Sequence, residues 1–315
     1  MEDVIYCRCV LKTGILYLFS EYPGFLPNGY ICGKPIYMKK EKYSFNPTDF
    51  KTKLLSEGEF LNLAYRRNGQ AYENVSDYEM RKLARKEFEE IEVFEGIFDN
   101  LVFLKEEFIS QKIFPREELK KRRKEDSKLD ALAQEIESLF DIGPEDLGIT
   151  GSVCLGAKHF GDYDFVFYGS VEQMLKIKRI IDGLTKEQTR RVFENGLFWR
   201  ARFMFHGEII CCFFNYDAYL PQLWELYNLE LDKPAQFSGI VQSQEYALSK
   251  NAYFKLKGST FDSVILLSNM FKNAINIGDR ISGKCYACTL KSGEKIAVVK
   301  NPPAALENYL QYFTL

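Results

Sequence analysis

Hydrophobic and polar positions alternate along short segments at both ends of the chain, which is the pattern of half-buried β-strands. Residues 1–66 contain several such segments, and a strong turn signal, Pro27-Asn28-Gly29, precedes the one at 30–38. Residues 77–93 are rich in Glu, Lys and Arg and predict a helix. After Pro234 strand-like segments return and predict a compact antiparallel, barrel-like domain. Those segments are 237–241, 252–256, 264–267, 280–288 and 295–299.

The middle of the chain has helical spacing instead. An apolar stripe predicts an amphipathic helix that begins at Ser127 and ends before Gly143-Pro144; its residues are Leu129, Leu132, Ile136 and Leu139. A strand is then predicted at 147–149, and the apolar run 165–168 predicts another. Helices and strands therefore alternate in this part of the chain, as they do in an α/β core.

Two capping patterns predict further helices after the apolar run. Ser170 is followed three residues later by Gln173, which fits a capping box that opens a helix reaching Asp182. Thr185 and Gln188 repeat the same spacing and predict a second helix directly after the first.

The segment 148–169 carries the candidate chemistry. Side chains alternate along a strand, so Asp162 and Asp164 project to the same face. Two adjacent carboxylates repel each other unless a cation lies between them, and their hard oxygen atoms suit Mg²⁺. About ten residues earlier, Gly151-Ser152 is at a strand-to-helix turn, where backbone N–H groups can meet a phosphate. Together these residues favour phosphoryl or nucleotidyl chemistry.

This order of Gly-Ser, a short spacer and Asp-x-Asp on an apolar strand resembles the signature of the DNA polymerase β-type nucleotidyltransferase superfamily. The resemblance covers roughly residues 127–232. More loosely, the whole chain is similar to predicted, largely archaeal nucleotidyltransferases with an N-terminal β-containing region and a small C-terminal β domain. It implies an α+β protein of three parts: an N-terminal α/β region at 1–126, a nucleotidyltransferase core with a mixed sheet at 127–232, and a β domain at 233–315.

The resemblance also implies an activity. The expected reaction moves a nucleoside monophosphate from an NTP to an acceptor hydroxyl and releases pyrophosphate. Asp162 and Asp164 would hold Mg²⁺ or Mn²⁺, and Gly151 and Ser152 would hold the triphosphate of the nucleotide. RNA, a protein side chain and a small molecule all remain open as the acceptor.

The chain departs from the family pattern at the third carboxylate. Aligned on Gly207 and the Phe pair that ends the following strand, the expected Asp falls near Cys211. Glu208 is the nearest acid and is a candidate catalytic residue. Either Glu208 substitutes for the missing group, or two carboxylates suffice, or the chain binds nucleotide without transferring it. The last case gives the alternative function, a catalytically degenerate nucleotide- or RNA-binding protein; a scaffold that binds nothing is a third.

Composition and charge limit the partners and the cellular compartment that we expect for the chain. A net charge of −2 gives no overall attraction to a polyanion, so any nucleic-acid contact needs a local patch. The basic run at 120–124 is either a solvated linker or such a patch, and Arg200 with Arg202 could meet a phosphate. No apolar stretch approaches the ~18–20 residues that span a bilayer. Eight cysteines without paired zinc-type spacing predict reduced core thiols. We therefore expect a cytoplasmic protein with no membrane partner.

Overall fold

The computed structural model of the chain describes residues 8–11, 16–22, 29–39, 42–75, 77–92, 102–194, 196–218, 234–300 and 305–312. The chain forms two compact units. The first contains residues 1–130 and 148–160, and the second contains 131–147 and 161–315. The predicted division at 126 and 232 stays a prediction. The mixed helix and strand content confirms the α+β class.

The first unit is built on a nine-stranded sheet, counted over the described residues. Its strand order is β4-β5-β3-β2-β1-β9, with β6 on β5, and with β8 on β3 and β7. The strands are β1 Arg8–Leu11, β2 Leu16–Tyr22, β3 Tyr30–Met38, β4 Phe50–Leu55, β5 Gly58–Asn68, β6 Ala71–Asn74, β7 Ile91–Glu92, β8 Val102–Lys105 and β9 Ile109–Ile113.

Helix α1, Asp77–Glu87, packs its apolar side on this sheet. Met80 and Ala84 of the helix share a core cluster with Met38 and Leu63 of the strands. The helix ends at Glu87, several residues before the predicted end, because the chain turns into strand β7. Helices α2, Pro115–Glu125, and α4, Gly151–Cys154, also belong to this unit.

The second unit contains a sheet of order β10-β11-β14-β13-β12. The strands are β10 Leu147–Ile149, β11 Tyr163–Gly169, β12 Arg191–Glu194, β13 Leu197–Phe205 and β14 Glu208–Tyr216. Strand β10 starts in this unit at Leu147 and continues into the first. Strands β11 and β14 run parallel, and β13 and β14 form an antiparallel hairpin.

Two amphipathic helices accompany this sheet: α3, Ser127–Phe140, and α5, Val171–Leu184. Phe140 at the end of α3 meets Phe167 of β11 edge to face, with ring centroids 4.9 Å apart. The capping box predicted for α5 is confirmed, since the Ser170 side chain accepts from the Gln173 N–H and the Gln173 side chain accepts from the Ser170 N–H.

The helix predicted from Thr185 and Gln188 is wrong. The Thr185 hydroxyl donates to the Ile181 carbonyl at 2.9 Å, and Thr185 caps the C-terminal end of α5. Only one 3₁₀ turn, Gln188–Arg190, follows before strand β12 begins at Arg191. The interval is too short for another α-helix, and the strand's long-range pairing with β13 takes precedence over the local capping pattern.

The C-terminal part of the second unit is a closed barrel, which confirms the barrel-like prediction. Its order is β15-β16-β17-β19-β18, and the pair β17–β19 is parallel where an all-antiparallel barrel was expected. Inward-facing apolar residues such as Phe254, Val264 and Ala297 fill it. The strands are β15 Pro234–Val241, β16 Ala252–Lys257, β17 Ser263–Leu266, β18 Arg280–Thr289 and β19 Lys295–Val299.

Candidate functional site

The parallel strands β11 and β14 bring three potential metal ligands together. Asp164 lies directly opposite Cys211 in the register of the two strands. Asp162 lies one residue before β11 begins at Tyr163, so the prediction that the strand carries both aspartates holds for Asp164 only. One ligand atom from each of the three side chains lies within 4.8 Å of the other two. The two carboxylates are partly exposed, whereas Cys211 is buried.

Cys211 lies where the third carboxylate was expected, since its sulfur faces the Asp pair. Glu208 is the first residue of β14 and is three positions away from Cys211. Side chains alternate along a strand, so Glu208 points to the opposite face of the sheet. This geometry weighs against Glu208 as a metal-contacting base, although its catalytic role stays a prediction.

Arg202 is the principal site residue whose role the sequence did not reveal. It pairs with Cys211 across the β13–β14 hairpin. Its Nε donates to the Cys211 sulfur at 3.2 Å, and its Nη2 lies 3.9 Å from Asp162 Oδ2. On the other side, Nη1 donates to Glu194 Oε2 at 2.9 Å, and the guanidinium lies 4.3 Å from the Trp199 ring centroid. Four neighbours thus hold this cation against the ligand cluster.

Arg200, which was grouped with Arg202 as a phosphate contact, has other partners. Its Nε donates to the Tyr312 carbonyl at 3.2 Å, and its guanidinium lies 4.8 Å from the Phe198 ring centroid. Arg200 therefore links β13 to the C-terminal segment, and only Arg202 of the two reaches the ligand cluster.

Burial and charge set the protonation of the cluster. Burial raises the pKa of the Cys211 thiol to about 12, although Arg202 opposes this rise. Burial also lowers the pKa of Arg202, but the favourable charges of Cys211, Asp162 and Asp164 outweigh burial and raise it overall. At neutral pH the thiol is protonated and the guanidinium is charged. Lys272 also acts electrostatically on Cys211 and Asp164, so two cations, Arg202 and Lys272, oppose the negative charge of the two carboxylates.

Lys272 occupies the point where β13 and β14 separate. Strand pairing in this hairpin runs from Phe205 and Glu208 to Arg202 and Cys211. Beyond that point, Lys272 Nζ donates to the Cys212 carbonyl at 2.8 Å and lies 4.1 Å from the Phe213 ring centroid. Burial lowers the pKa of Lys272 to about 8. The lysine satisfies a carbonyl that the hairpin leaves open, and nothing in the local sequence signals this long-range contact.

The burial of Lys272 predicts a pH-dependent stability. Between about pH 8 and pH 10.5 the unfolded chain binds this proton while the folded chain releases it, so the contribution of Lys272 to stability should rise with pH in that window. The contribution is at most about 3 kcal/mol. Urea unfolding of wild type and Lys272→Met at pH 7 to 10.5 measures it, with the exposed Lys255→Met as control. We expect the slope of stability against pH to be less positive in Lys272→Met than in wild type and Lys255→Met; equal slopes in all three proteins would contradict the assignment.

The Gly-Ser turn forms the start of α4 in the first unit. Gly151 has a φ of +68°, a left-handed conformation that favours glycine. Ser152 is buried, and its carbonyl accepts from the Leu155 and Ala157 N–H groups at 3.2 and 3.0 Å. These contacts define the turn, and the left-handed backbone conformation at its start explains why residue 151 is a glycine. Phosphate binding by Gly151 and Ser152 stays a prediction from the sequence.

The basic run in α2 is largely paired within the protein. Arg122 Nε donates to Glu118 Oε1, and Arg123 Nε donates to Asp130 Oδ1, each at 2.6 Å. Lys121 lies 3.6 Å from Glu118. Arg122 Nη2 also reaches the Cys154 carbonyl at the end of α4, at 3.5 Å. These contacts favour a structural role for this run over a free cationic patch.

The remaining cysteines and the helices bear on two further expectations. The six cysteines whose side chains are described are buried and lie outside any disulfide, which confirms reduced core thiols for them; Cys7 lies outside the described residues. No helix among the described residues combines the length and apolar character needed to cross a membrane.

Comparison of the chain with family models, curated proteins and solved structures gives no match.

Proposed function

We propose that the chain is a nucleotidyltransferase with a polymerase β-type core at about residues 127–232. It transfers a nucleoside monophosphate from an NTP to an acceptor hydroxyl, with Mg²⁺ or Mn²⁺, and releases pyrophosphate. The observation that carries the proposal is the position of Asp162 and Asp164 beside a third ligand atom from the neighbouring parallel strand. The compartment is proposed to be the cytoplasm.

Each group has one task in this mechanism. Asp162 and Asp164 would hold a divalent ion, which would supply positive charge for the α-phosphate and for the acceptor oxygen. Arg202 holds Asp162 and the Cys211 sulfur in place through the contacts described above. Gly151 and Ser152 are proposed to bind the β- and γ-phosphates through the turn that opens α4.

A second candidate function is a nucleotide- or RNA-binding protein that has lost catalysis. Two observations favour it. The Cys211 thiol is protonated at neutral pH and is not a base. Arg202 already supplies a positive charge to Asp162 without any bound metal. The intact pair of carboxylates favours the transferase instead.

A labelling experiment separates these functions. The full chain is incubated with each α-³²P-NTP and Mg²⁺ or Mn²⁺, with and without total RNA, and the destination of the label is identified. We expect label on an acceptor and release of unlabelled pyrophosphate. Metal-dependent NTP binding without transfer would support the binding protein, and neither binding nor transfer would reject both functions.

The phosphate role of the Gly-Ser turn makes a separate prediction. Ser152→Ala should weaken NTP affinity by about 1–2 kcal/mol, the contribution of a hydrogen bond to a charged group. Calorimetric titration of NTP and of the unphosphorylated nucleoside measures this loss in both proteins. Nucleoside affinity should not change. An equal loss for nucleoside and NTP would show that Ser152 supports the fold of the site and does not contact phosphate.

A further inference from the structure

We propose that Asp162, Asp164 and Cys211 form a site for a thiophilic divalent cation of the Zn²⁺ class, which they bind more tightly than Mg²⁺. This proposal rests on the proposed function only in that both use Asp162 and Asp164 as metal ligands. Its new element is the thiol of Cys211, which becomes a metal ligand through the fold of the sheet.

The strand register supplies the geometry for such a site. Cys211 and Asp164 are direct neighbours on parallel strands, so backbone hydrogen bonds fix their separation. Zn²⁺ binds carboxylate oxygen at about 2.0–2.2 Å and thiolate sulfur at about 2.3 Å. The three ligand atoms lie within 4.8 Å of one another, so binding of one common ion requires the two carboxylates to rotate toward the sulfur. Three protein ligands leave a fourth position of a tetrahedral zinc open.

Arg202 gives a separate observation in favour of a metal site, because it orients the Cys211 sulfur. Metal-binding side chains are usually oriented by hydrogen bonds from a surrounding layer of residues. The guanidinium donates to the Cys211 sulfur at 3.2 Å and faces Asp162, while Glu194 and Trp199 fix its other side. A cation that donates to sulfur stabilises the thiolate that forms when a metal ion binds and the thiol proton passes to water.

The ligand chemistry decides between ions. Thiolate is a soft ligand that selects zinc-like ions, whereas Mg²⁺ takes oxygen ligands and water. With Mg²⁺ the site offers only its two carboxylates. With Zn²⁺ or Cd²⁺ it offers all three groups. Cys211 should therefore contribute strongly to the affinity for thiophilic ions and little to the affinity for Mg²⁺.

Cys212 provides a matched control inside the same strand. It is as deeply buried as Cys211 and directly follows it, but alternation directs its side chain to the opposite face of the sheet. A serine at either position removes one buried thiol and changes side-chain volume equally. Only the change at Cys211 removes a ligand.

The test uses the metal-free full chain and its variants Cys211→Ser, Cys212→Ser and Asp164→Asn. Cd²⁺ is the spectroscopic probe, because cadmium–thiolate bonds absorb in the near ultraviolet, and titration calorimetry measures Zn²⁺ and Mg²⁺. For wild type and Cys212→Ser we expect a Cd²⁺-dependent band and a Zn²⁺ affinity at least tenfold above the Mg²⁺ affinity. Cys211→Ser should lose the band and at least tenfold in Zn²⁺ affinity, with Mg²⁺ affinity unchanged. Asp164→Asn should lower the affinity for both Zn²⁺ and Mg²⁺.

Two results would overturn the site: a wild-type chain that binds Zn²⁺ no tighter than Mg²⁺, or a Cys211→Ser variant that keeps wild-type Zn²⁺ affinity. The wild-type measurement needs no variant, so it decides the question even if a substitution prevents folding. The transfer assay fails or succeeds separately. Transfer without zinc preference would leave the proposed function and reject this site, whereas zinc binding without transfer would do the reverse.

Discussion

Asp164→Asn should lower metal-dependent nucleotide transfer by about a thousandfold or more, which corresponds to several kcal/mol of transition-state stabilisation. The carboxylate is the central member of the ligand cluster, since it lies opposite Cys211 in the strand register and two residues from Asp162. An amide keeps the shape of the side chain but removes its charge, so the divalent ion loses most of its binding energy at this position.

The folded state should tolerate this change. Asp162 and Asp164 repel each other in the metal-free protein, and Arg202 faces Asp162 at 3.9 Å. Removing one of the two like charges relieves repulsion, so Asp164→Asn should unfold in urea at the same or a higher denaturant concentration than wild type. Asp217→Asn, an exposed residue beyond the far end of β14, is the matched control and should retain full activity.

Transfer rates with saturating Mg²⁺ or Mn²⁺, together with urea unfolding curves, measure both parts of this prediction. An Asp164→Asn protein that is folded and fully active would place the chemistry elsewhere in the chain. A protein that is inactive because it is unfolded would instead show that Asp164 has a structural role.

Local sequence patterns predicted the elements that depend on local physics. The apolar stripe and the capping pattern at Ser170 predicted α3 and α5, because amphipathic spacing and a capping box determine helices within a few residues. Strand alternation predicted that the side chains of Asp162 and Asp164 lie side by side, and their carboxylates are close although β11 begins only at Tyr163. The position of Cys211 beside them was expected from the resemblance, by alignment on Gly207 and the Phe pair.

Contacts between distant segments were beyond such patterns. The sequence predicted Arg202 only as a candidate phosphate contact beside Arg200, whereas its partners come from β12 and β14 and from before β11. Lys272 reaches the Cys212 carbonyl across 60 positions of sequence. The same limit explains the wrong helix after Thr185, where pairing of β12 with β13 outweighs a local capping signal.

Two features reduce the negative charge of the ligand cluster, and both bear on the choice between the candidate functions. A guanidinium near Asp162 and a neutral thiol in place of a carboxylate both lower the negative charge that a metal ion meets. Together they weaken the site for Mg²⁺ relative to a site with three carboxylates. The thiol at position 211 thus bears on both candidate functions: it would slow a transferase that depends on Mg²⁺, and it would account for the loss of catalysis in a binding protein.

Cys211→Asp should therefore raise nucleotide transfer, and we expect a gain of at least about tenfold. A third carboxylate at this point adds a hard ligand and a base next to the acceptor, and general-base catalysis typically contributes about 10²–10⁴-fold. The new charge is buried, which costs stability in the metal-free protein, but Arg202 is already positioned to donate to it. We expect a lower unfolding midpoint without metal that Mg²⁺ restores.

Glu208→Gln is the comparison that makes this result specific. Glu208 lies on the opposite face of β14, so its amide variant should leave the transfer rate unchanged, both in the wild-type chain and in the chain that carries Cys211→Asp. Single-turnover rates for the four proteins, with NTP affinities measured separately, distinguish catalysis from binding. If Glu208→Gln lowers the rate while leaving NTP affinity intact, Glu208 reaches the reacting atoms and is the missing base. If Cys211→Asp is folded, binds Mg²⁺ and NTP, and shows no gain, then Asp162 and Asp164 alone carry the metal chemistry and a third carboxylate has no role in this protein.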